Sequence, residues 1–328
     1  MERATLFFIA TSRDARRSTT VLPMSVLAHD PVLHSASLPG VSGPVLVACD
    51  GAPVSSEALF NAGRLAQRTF GGPLQVLGVC EPTPGVAAGM DVLPVPADLD
   101  EARRTSMVED VRRTISISAA GDPTWPVDVQ LGSPSRLLAA AAMHRHASVI
   151  VMGIGRRNPL DRLFGTETTL ATLRESRVPV LAVGPDFPMQ PIHAVVGLDF
   201  SIASVQAARL AARLVAPNGR LTLVHVRPRF EHPSVDWQAW DADYGRSLPP
   251  SFDQVRARLD PPEGVIVETV TVRGDPAASL LSFAQQAQCD LIAVGTQRHS
   301  FLERLVVGSV ATRVLRTARC GVLAVPSA

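Results

Sequence analysis

Lysine is absent from this sequence of 328 residues, so all 31 basic side chains are arginines. The chain therefore has no P-loop lysine for phosphates and no lysine that could form a Schiff base with a carbonyl substrate. Charged residues make up only 19% of the sequence, with a net charge of +1. Because no basic surplus exists, neither nucleic acid nor an anionic membrane is an expected partner. We expect small-molecule or protein partners instead.

Long apolar runs are also missing. No stretch approaches the roughly 20 residues that cross a bilayer, and the run over residues 6–10 is too short for the core of a signal peptide. A cytoplasmic location without membrane attachment is the expectation. Cysteine is scarce, and the four cysteines form no C-x-x-C pair and no zinc spacing. They are predicted to be buried thiols in a reducing compartment: Cys49, Cys80, Cys289 and Cys320.

The first 42 residues differ in composition from the rest. They are rich in serine, threonine, arginine and proline and have no clear hydrophobic periodicity. This composition predicts that 1–42 is a disordered leader or a misassigned start. We assign no function to this segment.

The remainder of the sequence contains an internal repeat. The segment VLVACDGAPVSS from Val45 resembles AVVGLDFSIAS from Ala194, and each is followed by a helical pattern, a glycine and a second apolar run. Two further pairs of segments match in the same order, those that begin at Val127 and Val267 and at Ser148 and Asp290. The proline-containing segment DFPMQPI separates the copies. We therefore predict two domains, 43–187 and 188–328.

The repeat predicts an α/β fold. Its strand-like runs are nearly continuous valine, leucine, isoleucine and alanine, as in a parallel sheet with helices on both faces. With right-handed crossovers, each half is predicted to be a doubly wound domain with a five-stranded parallel sheet. The two domains are expected to pack about a pseudo-two-fold axis through their last strands. Several prolines in residues 228–262 predict that the second helix of the second half is broken.

A glycine motif closes the second half. From Gly295 it reads GTQRHSFLERLVVGSVATRVLR, which resembles the universal stress protein family. The nucleotide-binding members of that family carry G-x2-G-x9-G-[S/T], and Gly295, Gly308 and Ser309 stand at the matching positions. Arg298 stands where the second glycine belongs. The resemblance covers both repeats, and it implies a fold like that of the adenine nucleotide alpha hydrolases, the HUP class.

The resemblance also implies a ligand, which is ATP or another adenine nucleotide, with or without Mg²⁺. Asp199 is similar to the family aspartate that contacts adenosine, and the Val226 backbone matches the position at the adenine edge. A glycine turn that leads into a helix offers backbone N–H groups to phosphates, so Gly308, Ser309 as N-cap and Val310 are the expected phosphate contacts. Arg298 would either fill the phosphate pocket or pair with a phosphate.

The first half departs further from the motif. From Gly153 to Gly165 its loop is one residue shorter than from Gly295 to Gly308, and Arg156 again replaces a glycine. Glu167 brings a carboxylate to the start of the following helix, where it satisfies the helix dipole and repels phosphate. The first half is therefore a degenerate site, and its remaining candidate contacts are Asp50, Val79, Gly153, Gly165 and Thr166.

The sequence can be compared with two other kinds of function, an enzyme and a scaffold. The sequence contains neither the nucleophile elbow of a hydrolase nor a P-loop, so no catalytic residue is assigned. His144 and His146 stand on a predicted helix without a third metal ligand, so no metal residue is assigned. His225 is predicted to be a packed core histidine, and slow ATP hydrolysis would be incidental. The alternative is a nucleotide-free stress-response scaffold that acts through dimerisation or partner binding. In either case the domains would form an intramolecular pseudo-dimer, with or without a further homodimer.

Overall fold

The computed structural model describes ten stretches of the chain. They are residues 7–8, 22–23, 43–52, 56–82, 86–88, 91–93, 97–154, 165–227, 237–296 and 308–327. The chain divides into two compact units, Met1–Pro39 and Gly40–Ala328. In the first unit, β1 (Phe7–Phe8) pairs antiparallel with β2 (Leu22–Pro23). The rest of the predicted leader, 1–42, lies outside the described residues.

The second unit contains both repeats. In the first repeat the strands are β3 (Val45–Ala48), β4 (Leu74–Cys80), the small antiparallel pair β5 (Val86–Ala88) and β6 (Asp91–Leu93), β7 (Val127–Leu131), β8 (Val149–Gly153) and β9 (Val180–Val183). Its helices are α1 (Ser56–Phe70), α2 (Ala97–Ile117), α3 (Pro134–His144) and α4 (Thr166–Glu175). Apart from the β5–β6 pair, these strands lie side by side in the order β7-β4-β3-β8-β9, and all of their pairings are parallel.

The second repeat has the same organisation. Its strands are β10 (His193–Gly197), β11 (Arg220–Arg227), β12 (Ile266–Arg273), β13 (Leu291–Thr296) and β14 (Gly321–Pro326). Its helices are α5 (Ile202–Leu214), α6 (Trp237–Arg256), α7 (Pro276–Gln286) and α8 (Ser309–Thr317). The strand order β12-β11-β10-β13-β14 repeats that of the first half, again with parallel pairings throughout. The predicted α/β class with doubly wound halves is confirmed.

The last strands of the two halves join them. β9 pairs antiparallel with β14, so that the two five-stranded sheets form one sheet of ten strands. Leu181 lies opposite Leu323, and these residues hold equivalent positions in the two repeats. The register is therefore symmetric about this leucine pair, as a pseudo-two-fold axis requires.

Helices cover both faces of the sheet. One apolar layer contains buried residues of α3, α4, α7 and α8, together with alternate strand residues such as Leu46 and Val322. The other four helices cover the opposite face, as three contacts indicate. A Cβ at Gly63 of α1 would lie 2.8 Å from Val47, one at Gly295 would meet α5, and His225 contacts α6. Because successive strand residues point to opposite faces, both layers draw on the same strands, and the inner strands are therefore mostly apolar. The outer strands β7 and β12 carry polar residues, among them Asp128 and Glu268.

Helix α6 corrects one prediction. Residues 237–256 form a helix of 20 residues with Pro249 and Pro250 inside it, whereas the prolines had predicted a break. Each proline lacks an N–H and removes one backbone hydrogen bond. The helix nevertheless persists because one of its faces is buried at helical spacing against the sheet. The buried residues are Tyr244, Leu248, Phe252 and Val255.

Equivalent helices of the two halves are capped differently. The Asp275 side chain caps α7: its Oδ1 accepts a hydrogen bond of 2.8 Å from the Ala278 N–H and another of 2.8 Å from Arg313 Nη1. Ser133 stands at the same place before α3 but makes no side-chain capping bond. Only the second half uses a side chain at this turn to satisfy a helix terminus.

This difference predicts unequal effects of alanine at the two caps. Asp275→Ala should lower the free energy of unfolding by about 1 kcal/mol, because an N–H at the start of α7 loses its acceptor. Ser133→Ala should change it by less than about 0.5 kcal/mol. Urea unfolding followed by circular dichroism measures both. Equal losses in the two variants would contradict the assignment.

Candidate functional site

The candidate site lies where β10 and β13 are neighbours. Gly197 of β10 pairs with Val294 of β13, and β10 has β11 on its other side. The chain leaves these adjacent strands in opposite directions, so a crevice opens at their carboxyl ends. β3 and β8 form the corresponding switch point of the first half. Ligands of doubly wound proteins bind at such points.

Asp199 follows β10 at this edge and is exposed. Its Oδ1 accepts hydrogen bonds from the backbone N–H of Ser201, at 3.0 Å, and from the Ser201 hydroxyl. The Asp199 N–H donates to Ser204 Oγ at 3.3 Å, and Ser201 Oγ in turn accepts from the Ser204 N–H. Phe200 between them has a φ of +62°. The carboxylate is thus held at the mouth of the crevice by a tight turn that also begins α5.

Gly295, near the end of β13, has a packing role. A Cβ at this residue would lie 2.4 Å from the Ser204 nitrogen and 2.6 Å from the Ala203 carbonyl carbon. Only glycine lets the first turn of α5 approach the strand this closely. At Gly153, the first-half equivalent, no described atom lies within 4 Å of the Cβ position.

The N-terminus of α8 supplies the predicted phosphate contacts. Gly308 is the N-cap residue, with φ −52° and ψ 147°, and its carbonyl accepts a bond of 3.0 Å from the Thr312 N–H. The prediction that Ser309 is the N-cap is therefore wrong, because this bond already starts the helix at Ser309. Ser309 is exposed and Val310 is half-buried. A Cβ at Gly308 would meet no described atom within 4 Å, and residues 297–307 just before it lie outside the described residues.

Val226 lies near the carboxyl end of β11, opposite Val272 of β12, and is half-buried. Its neighbour His225 is buried, as predicted, and links two elements of the site. His225 Nδ1 lies 2.7 Å from the Leu198 carbonyl oxygen, and Nε2 lies 2.7 Å from the Tyr244 hydroxyl. Since a carbonyl only accepts, Nδ1 carries the proton, and in the neutral ring the tyrosine donates to Nε2. The histidine thus joins the turn before Asp199 to α6.

The charge state of His225 follows from its surroundings. Burial lowers the pKa of the imidazole, helped by the positive charge of Arg227, whereas the Leu198 carbonyl and the Asp199 carboxylate oppose this effect. The net direction is downward, so the ring stays neutral at neutral pH. A neutral ring held at both nitrogens is a structural group and is poorly suited to act as a base.

The first half arranges its candidate residues differently. Asp50 Oδ1 accepts a bond of 3.0 Å from the Ala52 N–H, across a turn in which Gly51 has a φ of +77°. The Val79 side chain is fully buried, so only its backbone is available to a ligand. Gly165 is the N-cap of α4, and Thr166 is its first helical residue.

A fixed offset aligns the two halves and relocates one candidate. Gly153 and Gly295 are 142 residues apart, as are Val183 and Val325, and each pair holds the same sheet register. With this offset the buried residues of α4 and α8 also coincide, and Glu167 falls at the position of Ser309. The first half therefore has a carboxylate where the second has a hydroxyl. Its loop before α4 is one residue shorter than the loop before α8, and α4 is one residue longer at its start.

Glu167 also has a partner in the second half. Its two carboxylate oxygens accept hydrogen bonds of 3.1 and 3.2 Å from Nε and Nη2 of Arg316, on α8. This bidentate geometry is the strong form of a carboxylate–guanidinium contact. An internal anion therefore already stands at the N-terminus of α4, held by an arginine from the other half.

Some predicted residues cannot be placed. Arg298 and Arg156 lie outside the described residues, as do the loops that contain them. Within the described residues no cluster of histidine, cysteine, aspartate and glutamate is suited to hold a metal ion. The described helices include none that is both long enough and apolar enough to cross a membrane.

Three residues of the site were missed by the sequence analysis. Ser201 and Ser204 hold Asp199, and the spacing D-x-S-x-x-S in DFSIAS is the signal that would have predicted a capped turn. Tyr244, which donates to His225, had no comparable signal. It lies in α6, 19 residues beyond the histidine, within the proline-rich region.

These features define a tandem α/β protein with a ligand crevice at the switch point of each half. Residues 42–184 and 193–326 both match the universal stress protein family. The chain therefore belongs to that family, whose name refers to the response to stress.

Individual relatives agree with this assignment. A universal stress protein of Methanocaldococcus jannaschii is 44% identical over 62 residues, and the protein YxiE of Bacillus subtilis is 36% identical over 63. Each match spans 19% of this chain but only 36% and 43% of the respective relative. The crystal structure of a universal stress protein from Archaeoglobus fulgidus covers 87% of this chain and 98% of its own, with a TM-score of 0.56 and 18% identity. The crystal structure of a putative universal stress protein from Pseudomonas aeruginosa covers 88% of this chain and 95% of its own, with a TM-score of 0.57 and 15% identity. At these identities the likeness of the two structures concerns the fold.

The state of His225 predicts how stability depends on pH. The pKa is lower in the folded protein than its usual 6.5, so the unfolded chain binds the proton first as the pH falls. Stability should therefore decline below about pH 6.5, and His225→Gln should reduce this decline. Part of the decline should remain, because burial also lowers the pKa of His193. Urea unfolding at pH 7.5 and 5.0 measures it.

The exposed His144 provides the matched control, since His144→Gln should keep the decline of the unchanged protein. If the free energy of unfolding depends on pH in the same way in His225→Gln and His144→Gln, protonation of the buried His225 is not the cause of the decline.

Proposed function

We propose that the second half binds an adenine nucleotide, ATP in the first instance, and that the protein acts as a nucleotide-dependent regulator in a stress response. The observation that carries this proposal is the placement of an exposed carboxylate and a glycine-capped helix N-terminus at one edge of the sheet. Asp199 follows β10 there, and α8 begins there after β13. The carboxylate accepts hydrogen bonds, which suits the hydroxyl and amino groups of adenosine. The helix N-terminus favours anions, which suits the phosphates.

Each group has a defined role in the proposed complex. The Asp199 carboxylate accepts hydrogen bonds from adenosine, and the Val226 backbone borders the adenine. The N–H groups of Ser309 and Val310 and the positive end of α8 receive the phosphates, and Gly308 keeps that approach open. Arg298 is proposed as a further phosphate contact. Mg²⁺, if bound, would be held by phosphate oxygens, which suits an ion that retains much of its water.

The first half is proposed to be inactive as a nucleotide site. Glu167 stands at the position of Ser309 and is paired with Arg316. A phosphate at the start of α4 would meet this carboxylate, and like charges at short distance repel. We therefore expect one nucleotide per chain.

The proposed activity is binding, and no catalytic step is assigned. The buried histidine beside the crevice, His225, is fixed between a carbonyl and a tyrosine hydroxyl. The second candidate function is a nucleotide-free scaffold. The observation in its favour is that the two halves pair with each other through β9 and β14.

Calorimetric titration with ATP and Mg²⁺ tests the proposed site. The unchanged, nucleotide-stripped protein should bind close to one ATP per chain, and Gly308→Glu should weaken binding by about tenfold or more through repulsion of the phosphates. Gly308 has ordinary backbone angles and space for a side chain, so the variant should fold.

Gly165→Glu is the matched control, because Gly165 is the N-cap of α4, has a φ of −111° and has the same open space. This variant should bind ATP as the unchanged protein does. If ATP, ADP and AMP at millimolar concentration give no heat of binding, the nucleotide proposal is wrong and the scaffold function is favoured.

A second pair of variants tests the adenosine end. Asp199→Asn keeps an oxygen that can accept from the Ser201 N–H but removes the charge, so ATP affinity should fall by about tenfold to a hundredfold. Asp50→Asn makes the same change in the first half and should leave affinity unaltered. A loss in the Asp50 variant that equals the loss in the Asp199 variant would contradict the assignment of the site to the second half.

A further inference from the structure

Two cysteines far apart in sequence meet at the amino ends of β13 and β14. Cys289 lies two residues before β13, and Cys320 lies immediately before β14. The two strands are parallel neighbours, with Leu291 opposite Gly321. The sulfur atoms of the two cysteines are 3.8 Å apart. This is hydrogen-bond contact between two thiols, and it brings them close to bonding distance.

The backbone around both cysteines is held by several contacts. The Cys289 N–H donates to the Ala284 carbonyl at 3.1 Å, and the Gly321 N–H donates to the Asp290 carbonyl at 3.0 Å. Asp290 Oδ2 accepts hydrogen bonds of 2.8 and 3.0 Å from the N–H groups of Ile192 and His193. The two backbone segments are thus held beside each other, and rotation of the cysteine side chains moves the sulfurs towards the disulfide length of about 2.0 Å.

We propose that Cys289 and Cys320 are a modification site, at which a low-molecular-weight disulfide such as oxidised glutathione converts them into a reversible intramolecular disulfide. By extension of the register Cys320 lies opposite Asp290, one residue from Cys289. A strand spacing of about 4.8 Å and a rise of about 3.3 Å per residue give a diagonal Cα separation of about 6 Å, which disulfides span. The site is separate from the proposed nucleotide crevice and does not depend on it.

The two thiols have different roles in this reaction. Cys320 is half-buried and is the sulfur that a reagent reaches first, whereas Cys289 is buried. The hydrogen bond to Cys320 and burial both raise the pKa of Cys289. Either sulfur can be the donor in the 3.8 Å contact, so the roles of the two thiols follow from exposure, which is greater at Cys320. Cys320 is the attacking thiol, and Cys289 is the resolving thiol.

The chemistry balances in two exchange steps. The Cys320 thiolate attacks one sulfur of glutathione disulfide, forms a Cys320–glutathione mixed disulfide and releases one glutathione thiolate, which takes up the proton that Cys320 lost. Cys289 then gives its proton to the second departing glutathione as its sulfur attacks Cys320 Sγ. Two protein thiols are oxidised, and one glutathione disulfide is reduced to two thiols.

The disulfide would enclose β13, the glycine loop and α8 in one covalent loop. Closing a loop of this length restricts the unfolded chain, so the oxidised protein should melt at a higher temperature. The bond lies at the amino end of β13, roughly 20 Å along the strand from the carboxyl edge with Asp199. ATP affinity should therefore change little on oxidation, and the two proposals fail independently.

Peptide mapping after treatment with oxidised glutathione tests the proposal. Trypsin cuts after arginine, so it places the two cysteines in separate peptides, 274–298 and 320–328. The full chain should yield these peptides linked, and dithiothreitol should separate them. Cys49 and Cys80 are internal controls, because both are buried and burial raises the pKa of Cys49 to about 12. They should remain alkylatable only after unfolding.

Two variants test the order of events. In Cys289→Ser, Cys320 should stop at the mixed disulfide with glutathione. In Cys320→Ser, Cys289 should stay a free thiol. The proposal is overturned if both cysteines of the unchanged protein remain free after oxidation, if the links join other cysteines, or if Cys289 takes up glutathione in the Cys320 variant.

Discussion

Strands β9 and β14 are built from aliphatic residues that are buried almost completely, among them Val180, Leu181, Val322 and Leu323. Alone, each would be the exposed apolar edge of a five-stranded sheet, which invites aggregation. Their antiparallel pairing removes both edges and makes one sheet from two repeats. Since equivalent leucines face each other in this register, the pairing also fixes the pseudo-two-fold relation of the halves. The pairing of the two halves thus completes the core, because each last strand gains a partner.

The same pairing explains why similar halves have different sites. It brings α4 of one half beside α8 of the other, so that Arg316 reaches Glu167. In the first half an internal carboxylate meets the helix N-terminus, whereas the equivalent position in the second half is a serine hydroxyl. Asymmetry in one residue pair therefore separates a proposed ligand site from a structural copy of it. In the second half the corresponding helix, α8, begins with a glycine cap and an exposed serine, and Asp199 stands at the same edge of the sheet.

Much of the fold could be predicted because parallel strands covered on both faces are mostly apolar, and the repeat shows each pattern of strand and helix twice. Features that depend on tertiary contacts were not predictable in this way. Pro249 and Pro250 predicted a break in α6, but burial of Tyr244 and its helical neighbours outweighs the missing backbone bonds. Ser309 was predicted to be the N-cap of α8, but the N-cap is the preceding residue, Gly308, whose carbonyl accepts the first hydrogen bond of the helix. The contact between Cys289 and Cys320 required the strand order, since 31 residues separate them in the chain.

The most direct test of the account is a crystal structure of the full chain grown with a non-hydrolysable ATP analogue. The account predicts one analogue per chain, in the second half, with adenosine at the Asp199 carboxylate and phosphates at the first turn of α8. The start of α4 should carry no phosphate, and Glu167 should remain paired with Arg316. An analogue bound in the first half, or one in the second half that contacts neither Asp199 nor α8, would contradict it.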